Sequence, residues 1–283
     1  MMLANPRLCV ITFFTLASFS SNWAADEGYA KVGADVSFDN VLDLTYRESD
    51  YRISYGESSL QFGQLWLPDR TSLGTVIFIH GGCWLNEYSV DHSRALSTAL
   101  ASEDYAVWSI EYRRTGDAGG GWPGTFDDVV AGINKVRELS SYGISLEKLA
   151  IVGHSAGGHL ALLAGARSEH LLVEPDIIVG LAAITNLAAY SRGDNTCQQA
   201  TPLFMGGSVE EREGMFYEAN PGNHGIHSAT FLLQGDIDQI VPFEQASLPD
   251  ATTIIIAGAG HFDWVHPGTA AFRDLVKILS EEL

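Results

Sequence analysis

Apolar residues along the chain fall into short unbroken runs separated by stretches with helical spacing. Residues 75–79 read Thr-Val-Ile-Phe-Ile, a β-branched and aromatic run of the kind that forms a strand buried on both faces. Comparable runs predict strands over 60–67, which stops at Pro68, and over 105–110, 149–152, 177–184, 230–233 and 252–256. Between them the period changes. Residues 91–100 carry apolar side chains at helical intervals. Thr125 and Asp128 resemble a capping box opening a helix with Phe126, Val130, Ile133 and Val136 on one face. Residues 156–166 favour a helix, and a last helix gathers Phe272, Leu275, Val276 and Leu279. Strands alternating with helices imply an α/β fold, with a mostly parallel central sheet flanked by helices on both faces. Two stretches break the rhythm. Residues 115–124 are glycine-rich around Trp122-Pro123, and residues 186–228 form a long mixed segment expected to be a lid or cap insertion. No linker divides the chain, so residues 26–283 are expected to be a single domain.

The first 25 residues stand apart. Arg7 is their only charge, an apolar run covers residues 8–19, and Ala24-Ala25 precedes Asp26-Glu27. That is the layout of a signal peptide over residues 1–25, too short for a membrane span, and it predicts a secreted or periplasmic protein. After its removal two cysteines remain, Cys83 and Cys197, which are either bridged in an oxidising compartment or two separate buried thiols. The 283-residue chain has 16 basic and 35 acidic residues, a formal charge of −19. Such a surface repels phosphate backbones and anionic lipid, so neither nucleic acid nor stable membrane association is expected. Three cysteines also supply too few ligands for a cysteine-based zinc site.

The chemistry concentrates in four strand-end turns. Gly153-His154-Ser155-Ala156-Gly157 is a G-x-S-x-G pentad between a strand and a helix, the setting that forces a serine hydroxyl out at the carboxyl end of a sheet. Directly after the 75–79 strand, His80-Gly81-Gly82-Cys83-Trp84 can aim backbone N–H groups at a developing oxyanion. Gly81, Gly82 and Ala156 are the expected donors, with His80 holding the loop. The turn after the 230–233 strand offers two acids: Asp238 is the expected histidine partner and Asp236 a turn residue or further acceptor. After the 252–256 strand, His261 stands in a glycine loop, Gly258-Ala259-Gly260-His261-Phe262, where its imidazole could carry a proton. Of the other histidines, His154 and His159 are expected to be packed beside the elbow, and His266 to be at the surface or pocket rim. Trp84, Trp122, Phe262 and Trp264 lie near these loops and are candidates to line a substrate pocket, as against packing in the core.

The order Ser155, Asp238, His261 resembles that of α/β-hydrolases of the esterase and lipase type. The H-G-G-x-W turn and the G-H-S-A-G-G-H elbow are most similar to the kynurenine formamidase-like and small carboxylesterase branch. Glu111-Tyr112-Arg113 resembles the acid-Tyr-Arg that plays a structural part in these families. The resemblance implies hydrolysis of a small carboxylic ester through an acyl-enzyme, with no metal and no cofactor. An arylformamidase, amidase or peptidase on the same triad is the alternative, and an inactive binding protein of the same fold a third reading. The expected partner is a small-molecule ester or amide.

Overall fold

A computed structural model describes residues 28–283. The expected signal peptide at 1–25 lies outside the described residues. Residues Lys31–Leu283 form one compact unit built on an eight-stranded sheet of order β1-β2-β4-β3-β5-β6-β7-β8. The strands are β1 (Tyr51–Ser54), β2 (Phe62–Trp66), β3 (Gly74–Ile79), β4 (Tyr105–Ile110), β5 (Leu149–His154), β6 (Ile177–Leu181), β7 (Thr230–Gly235) and β8 (Thr252–Ile256). β1 and β2 are antiparallel, and β4, β3, β5, β6, β7 and β8 run parallel. Every residue of β3, β4, β5 and β6 is buried, as their unbroken apolar runs require of strands covered on both faces. β1 is almost wholly exposed, so it has no apolar alternation from which to be read.

The helices are α1 (Phe38–Leu42), α2 (Arg94–Ser102), α3 (Gly124–Lys135), α4 (Ala156–Ala166), α5 (Leu187–Tyr190), α6 (Thr196–Met205), α7 (Glu213–Ala219) and α8 (Ala270–Glu282). α4 is buried at every position, while α2, α3 and α8 bury one face. The capping box expected at Thr125 does not form. The α3 N-cap is Pro123, Thr125 Oγ1 donates to the Arg113 carbonyl, and the Asp128 carboxylate is taken by the Arg113 guanidinium at 2.6 and 2.7 Å. A charge-assisted fork outcompetes a cap hydrogen bond for the same carboxylate.

The long 186–228 segment carries α5, α6 and α7. It is fastened to the sheet core rather than free of it. Phe204 of α6 stacks on Trp84 at 4.9 Å, the α7 carbonyl of Ala219 accepts from His159 Nε2 at 2.7 Å, and Cys197 of α6 is disulfide-bonded to Cys83. The two cysteines therefore bridge, with Cα atoms 4.9 Å apart.

Sheet register gathers the four turns. Ile79 of β3 pairs with Gly153 of β5, and Gly235 of β7 with Ile256 of β8. The residues that follow, at 80–84, 154–157, 236–238 and 257–261, all leave the sheet at its carboxyl edge, where parallel α/β sheets bind their ligands.

Candidate active site

Ser155 sits in a strained strand-to-helix turn. Its φ of 56° and ψ of −120° are strained for a residue with a side chain, and α4 starts at the next residue. The Ser155 N–H donates to the Leu181 carbonyl and its carbonyl accepts from His159, which fixes the elbow at both ends. The turn tolerates nothing larger than glycine at 157, where a Cβ would meet the Ile79 carbonyl at 2.2 Å. The Gly81–Gly82 turn lies directly against the serine: a Cβ on Gly81 would stand 3.0 Å from Ser155 Cβ. Gly81 thus lies beside this serine, and Ala156 opens α4 at the next residue with a first-turn N–H that has no intrahelical acceptor.

His261 and Asp238 meet across the ends of β7 and β8. His261 Nδ1 lies 2.7 Å from Asp238 Oδ2, and both side chains are nearly or fully buried. The other carboxylate oxygen accepts from the N–H groups of Ile240 and Val241 at 2.8 and 2.9 Å. Burial would raise the Asp238 carboxyl, but His261 and these two N–H groups outweigh it and hold the group below its ordinary range. Asp236, the acid two residues earlier, accepts from Gly258 N at 2.6 Å and shapes the histidine loop instead.

His154 connects the elbow to that loop. Its Nε2 donates to the His261 carbonyl at 2.9 Å, and the two rings lie 4.7 Å apart. Complete burial, with His261 beside it, pushes the His154 imidazole well below its usual value, so it stays neutral. His159 is likewise buried and lowered to about 4 by desolvation.

Beside the Gly81–Gly82 turn lies a second buried histidine–carboxylate pair. His80 Nε2 is 2.9 Å from Glu111 Oε1 and its Nδ1 is 2.7 Å from the Gly81 carbonyl. Glu111 also accepts from the N–H groups of Val90 and Tyr112 and faces Arg114. The Tyr112 hydroxyl donates to the His80 carbonyl at 2.6 Å, and its ring stacks on the imidazole at 4.4 Å. Glu111, Tyr112 and His80, with Arg114 on Glu111, are thus a brace for the turn, while the Arg113 guanidinium goes to Asp128.

The aromatic residues divide. Phe262 packs edge-on against His261 at 5.0 Å and remains half-buried. Trp84 and Trp264 are completely buried and cannot wall an open pocket. Cys83 and Trp84 both have positive φ, 53° and 58°, and this double left-handed step turns the indole inward between Phe204 and His159. Trp264 lies on a 3-10 turn between the fully buried Asp263 and Val265. Trp122 stacks on Phe126 and lines a groove of about 210 Å³ with Arg167, His170 and Glu218, away from Ser155 and His261. His266, expected at the surface or pocket rim, is buried and lines a cavity of about 380 Å³ with residues from the 32–44 stretch. Two aromatic neighbours of the site carried no motif in the sequence: Tyr88, packed on Gly82, and Phe38, 5.3 Å from Phe262. Among the described residues no group of three or more His, Cys, Asp or Glu could hold a metal, and no helix is long and apolar enough to cross a membrane.

Comparison with known proteins decides the lineage. The model of the BD-FAE family matches residues 64–251, well over half of the chain. The chain belongs to the BD-FAE family. It is an α/β-hydrolase family, and its match to this chain includes Ser155, Gly81, Gly82 and Asp238 but ends before His261. Among curated proteins, the chain is 24% identical over 215 residues to Esterase LipC of Mycobacterium tuberculosis, covering 69% of this chain and 52% of LipC. Esterase LipQ of the same organism is 26% identical over 203 residues, with 65% and 48% covered. The chain spans about half the length of these curated relatives. Two solved structures share the fold. A truncated carbohydrate esterase from gut microbiota superimposes with a TM-score of 0.69 at 24% identity, covering 84% of this chain and 97% of that one. Esterase B from Lactobacillus rhamnosus HN001 gives 0.68 at 18% identity, covering 86% and 89%.

Proposed function

We propose that this BD-FAE chain is a carboxylic ester hydrolase that works through an acyl-enzyme on Ser155. The observation that carries the reading is one juxtaposition: a strained serine packed against the Gly81–Gly82 turn, at the same sheet edge as the Asp238–His261 pair at 2.7 Å. The esterase relatives support the reaction class. In this reading His261 Nε2 takes the Ser155 proton as Oγ attacks the ester carbonyl, and Asp238 holds the ring in the right tautomer and stabilises the imidazolium. The N–H groups of Gly81 or Gly82 and of Ala156 receive the oxyanion. His261 returns the proton to the departing alkoxide, and water activated by the same ring frees the acid and Ser155. The chain's own residues supply each of these steps. A small neutral ester suits a surface of charge −19 better than an anionic one does.

The signal peptide reading of residues 1–25 belongs to the same proposal. A bridged Cys83–Cys197 pair suits the oxidising compartment that export implies. N-terminal sequencing of the exported protein should begin near Asp26.

Turnover of p-nitrophenyl acetate and butyrate, an aryl formamide and a peptide anilide by wild type and Ser155→Ala tests the reaction. Ester turnover that vanishes in the variant is the expected result. Preferred turnover of the formamide would move the chain to the kynurenine formamidase-like branch, and equal ester rates in wild type and variant would end the reading.

A further inference from the structure

The segment before β1 is tied to the histidine loop by one buried carboxylate. Asp263 accepts from the backbone N–H groups of Asp35 and Val36, both at 2.8 Å, and from Gly260 N at 2.9 Å. Val32 N donates to the Gly268 carbonyl at 3.0 Å. The fit is close, since a Cβ on Gly260 would meet Asp35 Oδ1 at 2.5 Å. So anchored, the segment enters α1 through a capping box of Ser37 and Asn40. The first residue of α1 is Phe38. Its ring lies 5.3 Å from Phe262, 5.8 Å from Tyr88 and 5.7 Å from His92. Phe262 leans on His261, and Tyr88 packs where a Gly82 side chain would be. Phe38, Tyr88 and Phe262 are all half-buried, so three rings bridge from the histidine to the oxyanion turn with part of each surface open. Phe38 and Phe262 lie outside the stretch matched by the family model, and Tyr88 lies within it.

We infer that this strap forms the leaving-alcohol subsite, and that Phe38 selects esters whose alcohol carries a bulky apolar group. The inference rests on the ester-hydrolase reading. In that reaction the departing oxygen receives its proton from His261, so the alcohol portion must lie beside that ring. Of the two rings beside His261, His154 is buried and Phe262 is partly open, and Phe38 packs on Phe262. Three partly open aromatic faces gain from covering apolar surface and offer little to a small alcohol. Asp263 is a positioning residue here, because it holds the strap and the histidine loop with the same carboxylate.

The test compares three esters of ordinary alkoxide leaving groups: benzyl acetate, ethyl acetate and ethyl phenylacetate. For Phe38→Ala, kcat/KM on benzyl acetate should fall about tenfold, mostly through KM, as expected for lost uniform binding. Ethyl acetate and ethyl phenylacetate should each change by less than about twofold. Phe38→Leu should recover part of the loss on benzyl acetate. An equal loss on all three esters, a loss confined to ethyl phenylacetate, or no change on any of them would overturn the assignment. Ser155→Ala is run beside them: if it still hydrolyses all three, the ester-hydrolase reading has failed rather than the subsite.

Discussion

The carboxyl edge of the sheet holds two buried histidine–carboxylate pairs, His80–Glu111 at 2.9 Å and His261–Asp238 at 2.7 Å. Both histidines follow a parallel strand, and both carboxylate partners are screened from water. They differ in what remains free. His80 has both ring nitrogens facing acceptors, is stacked on Tyr112, and its Glu111 is also held by Arg114 and two backbone N–H groups. His261 uses Nδ1 for Asp238, and its Nε2 has no hydrogen-bond partner among the described residues. A proton carrier needs one uncommitted nitrogen, and a brace needs none. Proximity of an acid to a histidine does not separate the two roles; the count of satisfied ring atoms does.

The contrast can be broken by substitution. Ser155→Ala or His261→Ala should lower kcat on a p-nitrophenyl ester by on the order of 10⁵–10⁶-fold, and Ser155→Ala should do so with Tm nearly unchanged. Asp238→Asn should cost about 10³–10⁴-fold by allowing the wrong tautomer. Glu111→Gln should behave in the opposite way. It removes the buried carboxylate that faces Arg114 and accepts two backbone N–H groups, which costs about 3–5 kcal/mol of stability. In thermal melts that is a fall in Tm on the order of 10 °C, while kcat drops far less than in Asp238→Asn. Equal Tm losses in Asp238→Asn and Glu111→Gln would erase the distinction.

The disulfide gives a smaller effect on the same turn. Cys83 follows Gly82, and its bond to Cys197 anchors the Gly81–Gly82 turn to α6. Cys83→Ser with Cys197→Ser should lower stability by about 2–4 kcal/mol, with a loss of kcat of roughly tenfold as the turn loosens. Circular dichroism melts and initial rates check both.

Acid should act last and gradually. His92, His154 and His159 are buried with lowered values, His92 at about 3 and His159 at about 4, so each binds fewer protons folded than unfolded. Their contribution is complete above the ordinary histidine value of about 6.5 and is lost as pH falls below it. Glu111 and Asp238 are also held low, so their contribution persists to lower pH and is lost only beneath the ordinary carboxylate value. Urea midpoints should therefore decline in two stages, first from about pH 6.5 towards 4 and then more steeply below about 4. A midpoint constant from pH 7 to 5 would contradict the neutral burial of these histidines.

The sequence was most legible where the physics is local. Unbroken β-branched runs marked the central strands, and glycines around Ser155 marked the elbow because backbone oxygens at 2.2 Å exclude any Cβ there. Asp238 could be preferred over Asp236, and Asp236 indeed turns to Gly258. Whether Trp84 and Trp264 line a pocket or pack in the core could not be decided from sequence, because the direction of a loop side chain follows from φ, which no periodicity encodes. Phe38 and Tyr88 were missed for a related reason. They come to His261 and Gly82 through the Asp263 anchor and the turn at 82–88, contacts more than 200 residues apart in the case of Asp35 and Asp263. α5, α6 and α7 were hidden in a long segment whose stability comes from Cys83, Trp84 and His159 rather than from its own pattern.

The central claim is that Ser155 is the nucleophile, and covalent trapping tests it most directly. Wild-type protein treated with a fluorophosphonate should gain the mass of one phosphonyl group, mapped to the peptide containing Ser155. The adduct should be absent from Ser155→Ala and greatly slowed in His261→Ala. Labelling of another residue, or no labelling of a folded wild-type protein, would contradict the account.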